Sequence, residues 1–289
     1  MKARYKKVRH KKPNRSFVGN FINVLFIALM GGFMLLPFLY AVSSAFKPLD
    51  EIFVYPPRFF VNNPTLSNFN DLFILLNSSW VPFSRYFTNT LYITVLGTTG
   101  HVFIASLGAY IFAKHDFFGR NTLFAIVVMS LMFVGQVTYI PNYIILSKLH
   151  LINTPYSLII PAFAGPLGLF LMKQFMEGLP DSLIESAKID GAKELTIFIR
   201  IAMPLVKPAW LTLIIFSIQN LWNNNANMYI YKEQLKTLPF ALQQVIAGGI
   251  ARTGEGSAAA LILMIVPITV FIISQTSIIE TMAHSGIKE

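Results

Sequence analysis

SFVGNFINVLFIALMGGFMLLPFLYAVSSAF, residues Ser16 to Phe46, contains no Asp, Glu, Lys, Arg or His. An α-helix needs about 20 consecutive, mostly apolar residues to cross a hydrocarbon layer of about 30 Å. The stretch exceeds that length, so it predicts a transmembrane helix. The composition agrees, because 54% of the 289 residues are hydrophobic and only 12% are charged, against about 45–50% and about 25% in ordinary soluble proteins.

Five further runs of this kind follow along the chain. They are Tyr86–Ala113, which His101 alone interrupts, Asn121–Ser147, Leu151–Met172, Pro208–Tyr231 and Gly256–Ile279. The runs are continuous rather than alternating, which disfavours a membrane barrel of β-strands. We therefore predict an all-α membrane protein with six transmembrane helices over residues 16–281, flanked by tails at 1–15 and 282–289.

Basic residues predict the orientation of these helices. Lys and Arg crowd positions 2–15, and most of the 23 Lys and Arg residues lie on the same side as that tail. By the positive-inside rule, both termini are then cytoplasmic. We interpret the basic tail as a topogenic segment that faces lipid. A nucleic-acid-binding arm and a cleaved signal peptide are the disfavoured alternatives.

The predicted external loops are unequal in length. Residues 47–85 carry prolines at positions 48, 56, 57, 64 and 82, a spacing that prevents a long helix and favours an extended surface segment. Residues 232–255 include the stretch GGIARTGEGS, which predicts a flexible loop. The connection between the third and fourth runs is very short.

Residues that carry chemistry are scarce inside the six runs. No Asp, Glu, Lys or Arg lies within them, whereas ion-coupled carriers usually need ionisable residues there. His101 is interpreted as a hydrogen-bonded packing residue rather than part of a proton path. The chain has no cysteine, no suggestive Ser–His or metal-ligand set, and no Lys after a Gly, which excludes a P-loop. We expect no catalytic residue, no metal and no cofactor bound by this chain.

One charged block, ESAKIDGAKELTIFIRIAMP at Glu185–Pro204, separates the fourth and fifth runs. Ser182 and Glu185 have the spacing of a capping box, which predicts a helix from about Asp181. Its apolar face consists of Leu183, Ile184 and Ala187. A small helix with such a face suits insertion into a groove on a partner protein.

The second half of the block predicts another helical piece, from Ala192 to about Met203. Gly191 separates the two pieces and permits a backbone turn, or a close approach that a Cβ atom would prevent. The product is a bent helical element, exposed on the cytoplasmic side. An ordinary amphipathic connector that rests on the membrane is the alternative.

The block resembles the EAA loop of membrane subunits of binding-protein-dependent ATP-binding-cassette importers. That loop reads Glu-Ala-Ala, three residues, Gly, nine residues, Ile, one residue, Leu-Pro. The matching positions are Glu185, Ser186, Ala187, Gly191, Ile201, Met203 and Pro204. Ser186 and Met203 depart from the pattern by small changes of side chain. The resemblance covers nearly the whole chain, and PTLSNF, LWNN and TLPFALQQV are similar to the carbohydrate branch that includes the maltose-importer permeases.

The resemblance implies partners and a bacterial cytoplasmic-membrane location. It implies a second homologous permease, two copies of a cytoplasmic ATPase that bind ATP and Mg²⁺, and an extracytoplasmic solute-binding lipoprotein. It also implies a coupling helix that docks on the ATPase. Its coupling residues would be Glu185, Ser186, Ala187, Asp190, Gly191, Ile201 and Pro204. A passive channel, or an importer of amino acids or ions, remains the alternative.

The fifth run is unusually polar for a lipid environment. Its stretch SIQNLWNNNANMYIY supplies amides, which pair with sugar hydroxyls as donors and acceptors, and aromatic rings, which stack on sugar faces. The candidate substrate-path residues are Asn220, Trp222, Asn223, Asn224 and Tyr229. Hydrogen bonding between helices is the alternative interpretation of the same residues.

Overall fold

A computed structural model describes residues 16–78, 80–133, 135–226 and 228–285. The predicted basic tail at 1–15 lies outside the described residues, as do positions 286–289 of the predicted C-terminal tail. The helices within these ranges are α1 Phe17–Ala45, α2 Leu49–Ile52, α3 Ser67–Ser78, α4 Phe83–Lys114, α5 Arg120–Ser130, α6 Gly135–Lys148, α7 Tyr156–Phe163, α8 Pro166–Glu177, α9 Asp181–Ile189, α10 Glu194–Ile197, α11 Met203–Leu205, α12 Lys207–Trp222, α13 Leu238–Ile246 and α14 Thr253–Ser285. The described part of the chain contains no β-strand.

Four stretches are long and apolar enough to cross a membrane as single spans: α1, α4, α7 with α8, and α14 together with the turn before it. Two bent pairs also qualify, α5 with α6 at 110° and the α10–α11 stretch with α12 at 81°. The crossing part of the second pair is α12, because its other arm carries Glu194 and Arg200. Six spans result when each bent pair counts as one, which confirms the predicted all-α fold.

The fifth predicted run ends as a helix at Trp222, well before Tyr231. The side-chain oxygen of Asn224 accepts a hydrogen bond from the backbone N–H of Ala226 at 2.9 Å, and Ala226 has a φ of 57°. Short polar side chains that bond to nearby backbone compete with helix formation, and the left-handed conformation ends it. The prediction of a continuous helix to Tyr231 is therefore wrong.

Both long loops contain helices that pack on the bundle. The extended interpretation of residues 47–85 fits the non-helical stretch 53–66 but is wrong for 67–78, which form α3. Residues 238–246 of the other loop form α13. Leu72 and Leu76 of α3 pack in one buried cluster with Leu238 and Leu242 of α13 and with Trp222. Apolar side chains at helical spacing therefore override the loop signals around them.

Helix α4 passes through the middle of the bundle. It packs against α7, α8 and α12, and its residues Ile93, Ala105 and Ala109 are almost completely buried. By contrast, the apolar side chains of α1 are exposed along most of its length, as expected for a helix that faces lipid. Because α4 contacts both the α7–α8 span and α12, it connects the two sites described next.

Candidate coupling surface and translocation cavity

The EAA segment, residues 181–204, begins with α9 at the predicted residue, Asp181. The predicted capping box does not form, because Pro180 occupies the N-cap position and no side chain caps the helix. Ser182 is the second residue of the helix, and its carbonyl oxygen accepts a hydrogen bond from the Ser186 hydroxyl at 2.7 Å. Glu185 is exposed. Its carboxylate therefore has no role at the start of the helix.

Gly191 ends α9 in a left-handed conformation, with a φ of 77°. Its N–H donates to the Lys188 carbonyl at 3.0 Å, and the N–H of Ala192 donates to the Ala187 carbonyl at 2.9 Å. This pair of bonds is a Schellman motif, which satisfies the last carbonyls of a helix. A Cβ atom at Gly191 would meet nothing within 4 Å. Of the two reasons predicted for this glycine, the structure supports the backbone turn and not the close approach.

The two faces of α9 differ from the predicted ones. Ile184 is 7% exposed and Ala187 is 9% exposed, and both pack into the core of the bundle. Leu183 is exposed, Ile189 is 86% exposed, and Glu185 lies on the exposed surface with them. The prediction that Ile184 and Ala187 offer an apolar ridge to a partner is wrong, because they fasten α9 to its own chain. The exposed face of α9 is the surface available for docking.

The second half of the EAA segment is helical, but not as one regular α-helix. Residues Phe198–Ala202 form a π-helical turn between α10 and α11, and such turns often occur at functional sites. Ile197 and Phe198 are buried, Ile201 packs at the edge of the same core, and Pro204 is exposed. The apolar side predicted for this piece therefore also faces the bundle.

Glu194 joins the EAA segment to the end of α4. Its carboxylate accepts hydrogen bonds from the Lys188 ammonium at 2.6 Å and from the Tyr110 hydroxyl at 3.1 Å, and His115 Nε2 lies 3.6 Å away. These partners, Lys188 foremost, hold the pKa of Glu194 below its usual value near 4.5. The stability that the ionised Glu194 gives the folded chain is therefore fully present above about pH 4.5. It is lost only as the pH falls through the lowered pKa of Glu194. Glu194 stays ionised at neutral pH.

Lys114, the last residue of α4, makes a second connection to the EAA segment. Its ammonium donates to the carboxylate of Asp181 at 2.6 Å and to the carbonyl oxygen of Leu179 at 2.6 Å. The Lys114 side chain is only 5% exposed. These bonds, with the buried contacts of Ile184 and Ala187, attach the EAA segment to the end of α4.

A cavity of about 380 Å³ lies between α4, α6, the α7–α8 pair and α12. Its polar lining residues are His101, Tyr139, Asn142, Ser157, Ser217, Asn220, Asn224 and Tyr229. The volume is near the lower end of the range for small-molecule sites, about 300–1,000 Å³. Three of the five predicted substrate-path residues, Asn220, Asn224 and Tyr229, thus line one space.

The other two predicted substrate-path residues lie off this cavity. Trp222 is 1% exposed, and its indole N–H donates to the Leu263 carbonyl at 3.1 Å. Its ring is therefore part of the packing between α12 and α14 and is not available to stack on a sugar. Asn223 is exposed, and its amide N–H₂ donates to the Gln219 carbonyl at 2.8 Å.

His101 bridges three helical elements at the cavity wall. Its Nδ1 lies 2.8 Å from the Ser217 hydroxyl, and its Nε2 lies 3.2 Å from the Gly165 carbonyl. Because a carbonyl oxygen only accepts, the network assigns the ring hydrogen to Nε2, and Nδ1 accepts from Ser217. The Gly165 carbonyl lies at the break between α7 and α8, where Pro166 has no N–H to continue the helix. The interpretation of His101 as a hydrogen-bonded packing residue is confirmed.

Gly168 gives the His101 ring its space. A Cβ atom at Gly168 would overlap His101 Nε2 and lie 2.9 Å from Leu213 Cδ1. We expect Gly168→Ala to lower the free energy of unfolding by about 1–3 kcal/mol, the usual cost of overpacking. Gly178→Ala, near the end of the same helix, is the matched control, because its Cβ would meet only the Phe175 carbonyl at 3.5 Å. Thermal-shift midpoints of the two purified variants test this, and equal midpoints would contradict it.

Non-helical backbone closes one end of the cavity and carries Tyr229. The side-chain oxygen of Asn153 accepts from the N–H groups of Tyr231 at 3.1 Å and Lys232 at 2.9 Å. The N–H of Asn153 donates to the Tyr229 carbonyl at 2.7 Å. Irregular backbone at membrane depth is tolerated where it is satisfied by protein or lines a cavity. Asn153 therefore fixes the position of Tyr229.

Several polar residues that line the cavity lie outside the fifth run and were not among the predicted substrate-path residues. Tyr139, Asn142 and Ser157 come from α6 and α7, and the polar residues scattered around them in the sequence do not single them out. Asn153 adopts a φ of 63°, which Asn tolerates better than most residues, but the residue type alone does not predict this. Its partners lie far away in the sequence, so no local pattern reveals its role.

These features define a helical membrane transport subunit, with a solute-sized cavity and an exposed helix fastened to a helix that lines it. Residues 90–283 match the family model described as the inner membrane component of binding-protein-dependent transport systems. The chain belongs to this family.

Two relatives and one solved structure illustrate the similarity. Protein LplC of Bacillus subtilis is 35% identical over 230 residues, which cover 77% of this chain and 74% of LplC. The polygalacturonan/rhamnogalacturonan transport system permease protein YtcP of B. subtilis is 30% identical over 250 residues, covering 81% and 85%. A crystal structure of a bacterial ABC transporter involved in the import of the acidic polysaccharide alginate has a TM-score of 0.75 at 22% identity, covering 92% of this chain and 99% of the other.

Proposed function

We propose that this chain is a permease subunit of an ATP-driven sugar importer and forms half of its translocation pathway. The main support is that one helix joins the cavity to the EAA segment. Helix α4 lines the cavity at His101 and bonds the EAA segment at Tyr110 and Lys114. At 1.5 Å per residue, His101 and Lys114 are about 20 Å apart along α4. A displacement of the EAA segment thus moves a wall of the cavity.

The energy source is a pair of cytoplasmic ATPases, each with its own ATP and Mg²⁺. One of them receives the exposed face of α9, formed by Leu183, Glu185, Ser186 and Ile189, in a groove. Asp190, Gly191 and the buried Ala187 shape this face from behind. Ile201 and Pro204 set the direction of the following bend. Closure of the ATPases on ATP then moves α9 and, through α4, the cavity between its inward-open and outward-open forms.

A second, related permease forms the other half of the pathway, as the resemblance of the EAA segment to that of importer permeases implies. A solute-binding protein delivers the substrate at the external surface, as the family description implies. The chain lies in the bacterial cytoplasmic membrane with both termini in the cytoplasm. No interaction with nucleic acid is proposed, since the basic residues follow the positive-inside pattern.

A carbohydrate substrate agrees with the chemistry of the cavity. Amides and hydroxyls of Asn142, Asn220, Asn224 and Tyr229 offer donors and acceptors together, and aromatic rings lie among them. The name of YtcP and the description of the alginate transporter also refer to polysaccharides. We expect Asn220, Asn224 and Tyr229 to contact the substrate. Trp222 and Asn223 lie off the cavity and are not expected to contact it.

Affinity purification of the tagged chain from its native membranes tests this function. We expect mass spectrometry to find a second six-span permease and an ATP-binding-cassette ATPase in the eluate. We also expect the reconstituted complex to hydrolyse ATP faster when sugar-loaded binding protein is added. A chain that purifies alone, or only with copies of itself, would instead indicate a passive pore. Stimulation by amino acids or ions but not by sugars would reject the carbohydrate assignment alone.

A further inference from the structure

The cavity is uncharged. Among the described residues that line it there is no Lys, Arg, Asp or Glu, and the imidazole of His101 is held between a hydroxyl and a carbonyl oxygen. An ionised carboxylate that leaves water loses a large hydration free energy. Cations or several charge-assisted hydrogen bonds must replace that hydration. This half of the pathway offers a carboxylate no such compensation.

The free polar groups of the cavity match hydroxyl groups instead. Asn142 and Asn220 line it with amides that make no hydrogen bond to other described residues, and the Tyr139 and Tyr229 hydroxyls are equally free of such bonds. Each amide presents two N–H donors and an acceptor oxygen, and each phenol can donate and accept. A sugar hydroxyl also donates and accepts, whereas a carboxylate only accepts. Beside the carboxylate of a uronate, the acceptor atoms of these groups would have no donor to bond.

Aromatic surface completes the lining. The rings of Tyr139, Tyr229 and Phe216 border the same cavity, and they offer apolar faces to the C–H side of a sugar ring. Uncharged donors, uncharged acceptors and aromatic faces together are the features of a site for a neutral polar ligand.

We propose that the substrate that crosses this half of the pathway is a neutral oligosaccharide rather than a uronic-acid polymer fragment. The proposal rests on the proposed sugar-importer function and narrows it to one substrate class. It separates this chain from similar proteins that are named for the transport of polygalacturonan or alginate. Asn220 is the position where the two substrate classes are most easily distinguished, because its amide is exposed in the cavity.

Two substitutions at Asn220 distinguish the loss of a hydrogen bond to the sugar from the repulsion of a negatively charged substrate. Asn220→Ala removes both donor and acceptor. Asn220→Asp keeps the shape and one acceptor oxygen, replaces the N–H₂ donor by a second acceptor oxygen, and adds a negative charge. For a neutral sugar, each variant is expected to lower the initial uptake rate by about two- to tenfold, the effect of losing a hydrogen bond between uncharged groups. Asn220→Asp should then be no worse than Asn220→Ala. For a uronate, the like charge should make Asn220→Asp slower than Asn220→Ala by more than about a hundredfold.

The initial uptake rate is measured in proteoliposomes that contain the complete importer and its binding protein. Two sets of labelled oligosaccharides of equal length are compared. One set is neutral arabino- or gluco-oligosaccharides, and the other is oligogalacturonides. Equal recovery of complex from each variant shows that folding is unaffected. Uptake of a neutral oligosaccharide, with Asn220→Asp matching or exceeding Asn220→Ala, supports the proposal. Uptake of the oligogalacturonide, or wild-type rates in both variants, overturns it while the importer function stands. Uptake of no carbohydrate at all rejects the proposed sugar import itself.

Discussion

Glu185→Lys is expected to abolish ATP-driven uptake while leaving this chain folded and inserted. Glu185 is exposed and takes no part in a helix cap, so the substitution costs the isolated chain little. At the docking interface, a reversed charge in a partly desolvated contact costs about 2–5 kcal/mol, which is a loss of affinity of about 30-fold to several thousandfold. The ATPase recovered per copy of this chain, together with the uptake rate, measures the effect.

Glu185→Gln is the matched control for this substitution. It keeps the size and hydrogen-bonding oxygen of the side chain and removes only the charge. We expect it to reduce ATPase recovery less than Glu185→Lys does. Normal ATPase recovery and uptake in Glu185→Lys would show that the exposed face of α9 is not the docking surface, whatever the behaviour of the Gln variant.

The coarse fold was predictable because the bilayer imposes one dominant rule on sequence. Long uncharged runs predict spans, and the runs at Tyr86–Ala113 and Gly256–Ile279 correspond closely to α4 and α14. The end of α12 at Trp222 was not predictable from hydropathy. Residues 223–231 carry no charge, so the uncharged run continues past the end of the helix. What ends the helix is the bond from Ala226 to the Asn224 side chain and the left-handed backbone beside it.

The sites were predictable only where their residues are close in sequence. The turn at Gly191 follows from a local rule that the structure bears out. The helix starts at Asp181 as predicted, but without the capping box from which that start was predicted. The orientation of α9 depends on what lies beneath it, so the inward position of Ile184 and Ala187 had no local signal. The same holds for the cavity, where Asn220 and Asn224 come from a visibly polar stretch but Tyr139 and Asn142 are brought to them by tertiary packing.

Uncoupling of ATP hydrolysis from uptake is the expected result of cutting the bonds between α4 and the EAA segment. The double variant Tyr110→Phe, Lys114→Met removes the bond from Tyr110 to Glu194 and those from Lys114 to Asp181 and Leu179. Both substitutions lie on α4, so the exposed docking face of α9 is unchanged. Phe at position 110 keeps the ring that packs against Phe198, whose centroid lies 5.5 Å away.

The expected change follows from the groups that lose their partners. The partly buried Leu179 carbonyl loses its donor, at a cost of about 1–3 kcal/mol. The Glu194 carboxylate is 48% exposed and keeps its bond with Lys188, so the loss of Tyr110 costs at most about 1 kcal/mol there. The pair with Asp181 adds little, because that carboxylate is 76% exposed and exposed pairs contribute at most about 1 kcal/mol. A weakening of this size allows α9 to move without α4. We expect the sugar transported per ATP hydrolysed to fall about tenfold or more, since each 1.4 kcal/mol corresponds to about a factor of ten.

ATPase recovery and ATP hydrolysis should stay close to those of the unmodified complex, which distinguishes uncoupling from failed docking. Arg120→Met is the control, because Arg120 is the first residue of α5 and pairs with Asp116 in the connector before it rather than with the EAA segment. It should leave transport per ATP unchanged. If the double variant transports as much sugar per ATP as the unmodified complex, the bonds of Tyr110 and Lys114 do not carry the motion. The buried apolar contacts of Ile184 and Ala187 would then be the connection that transmits it.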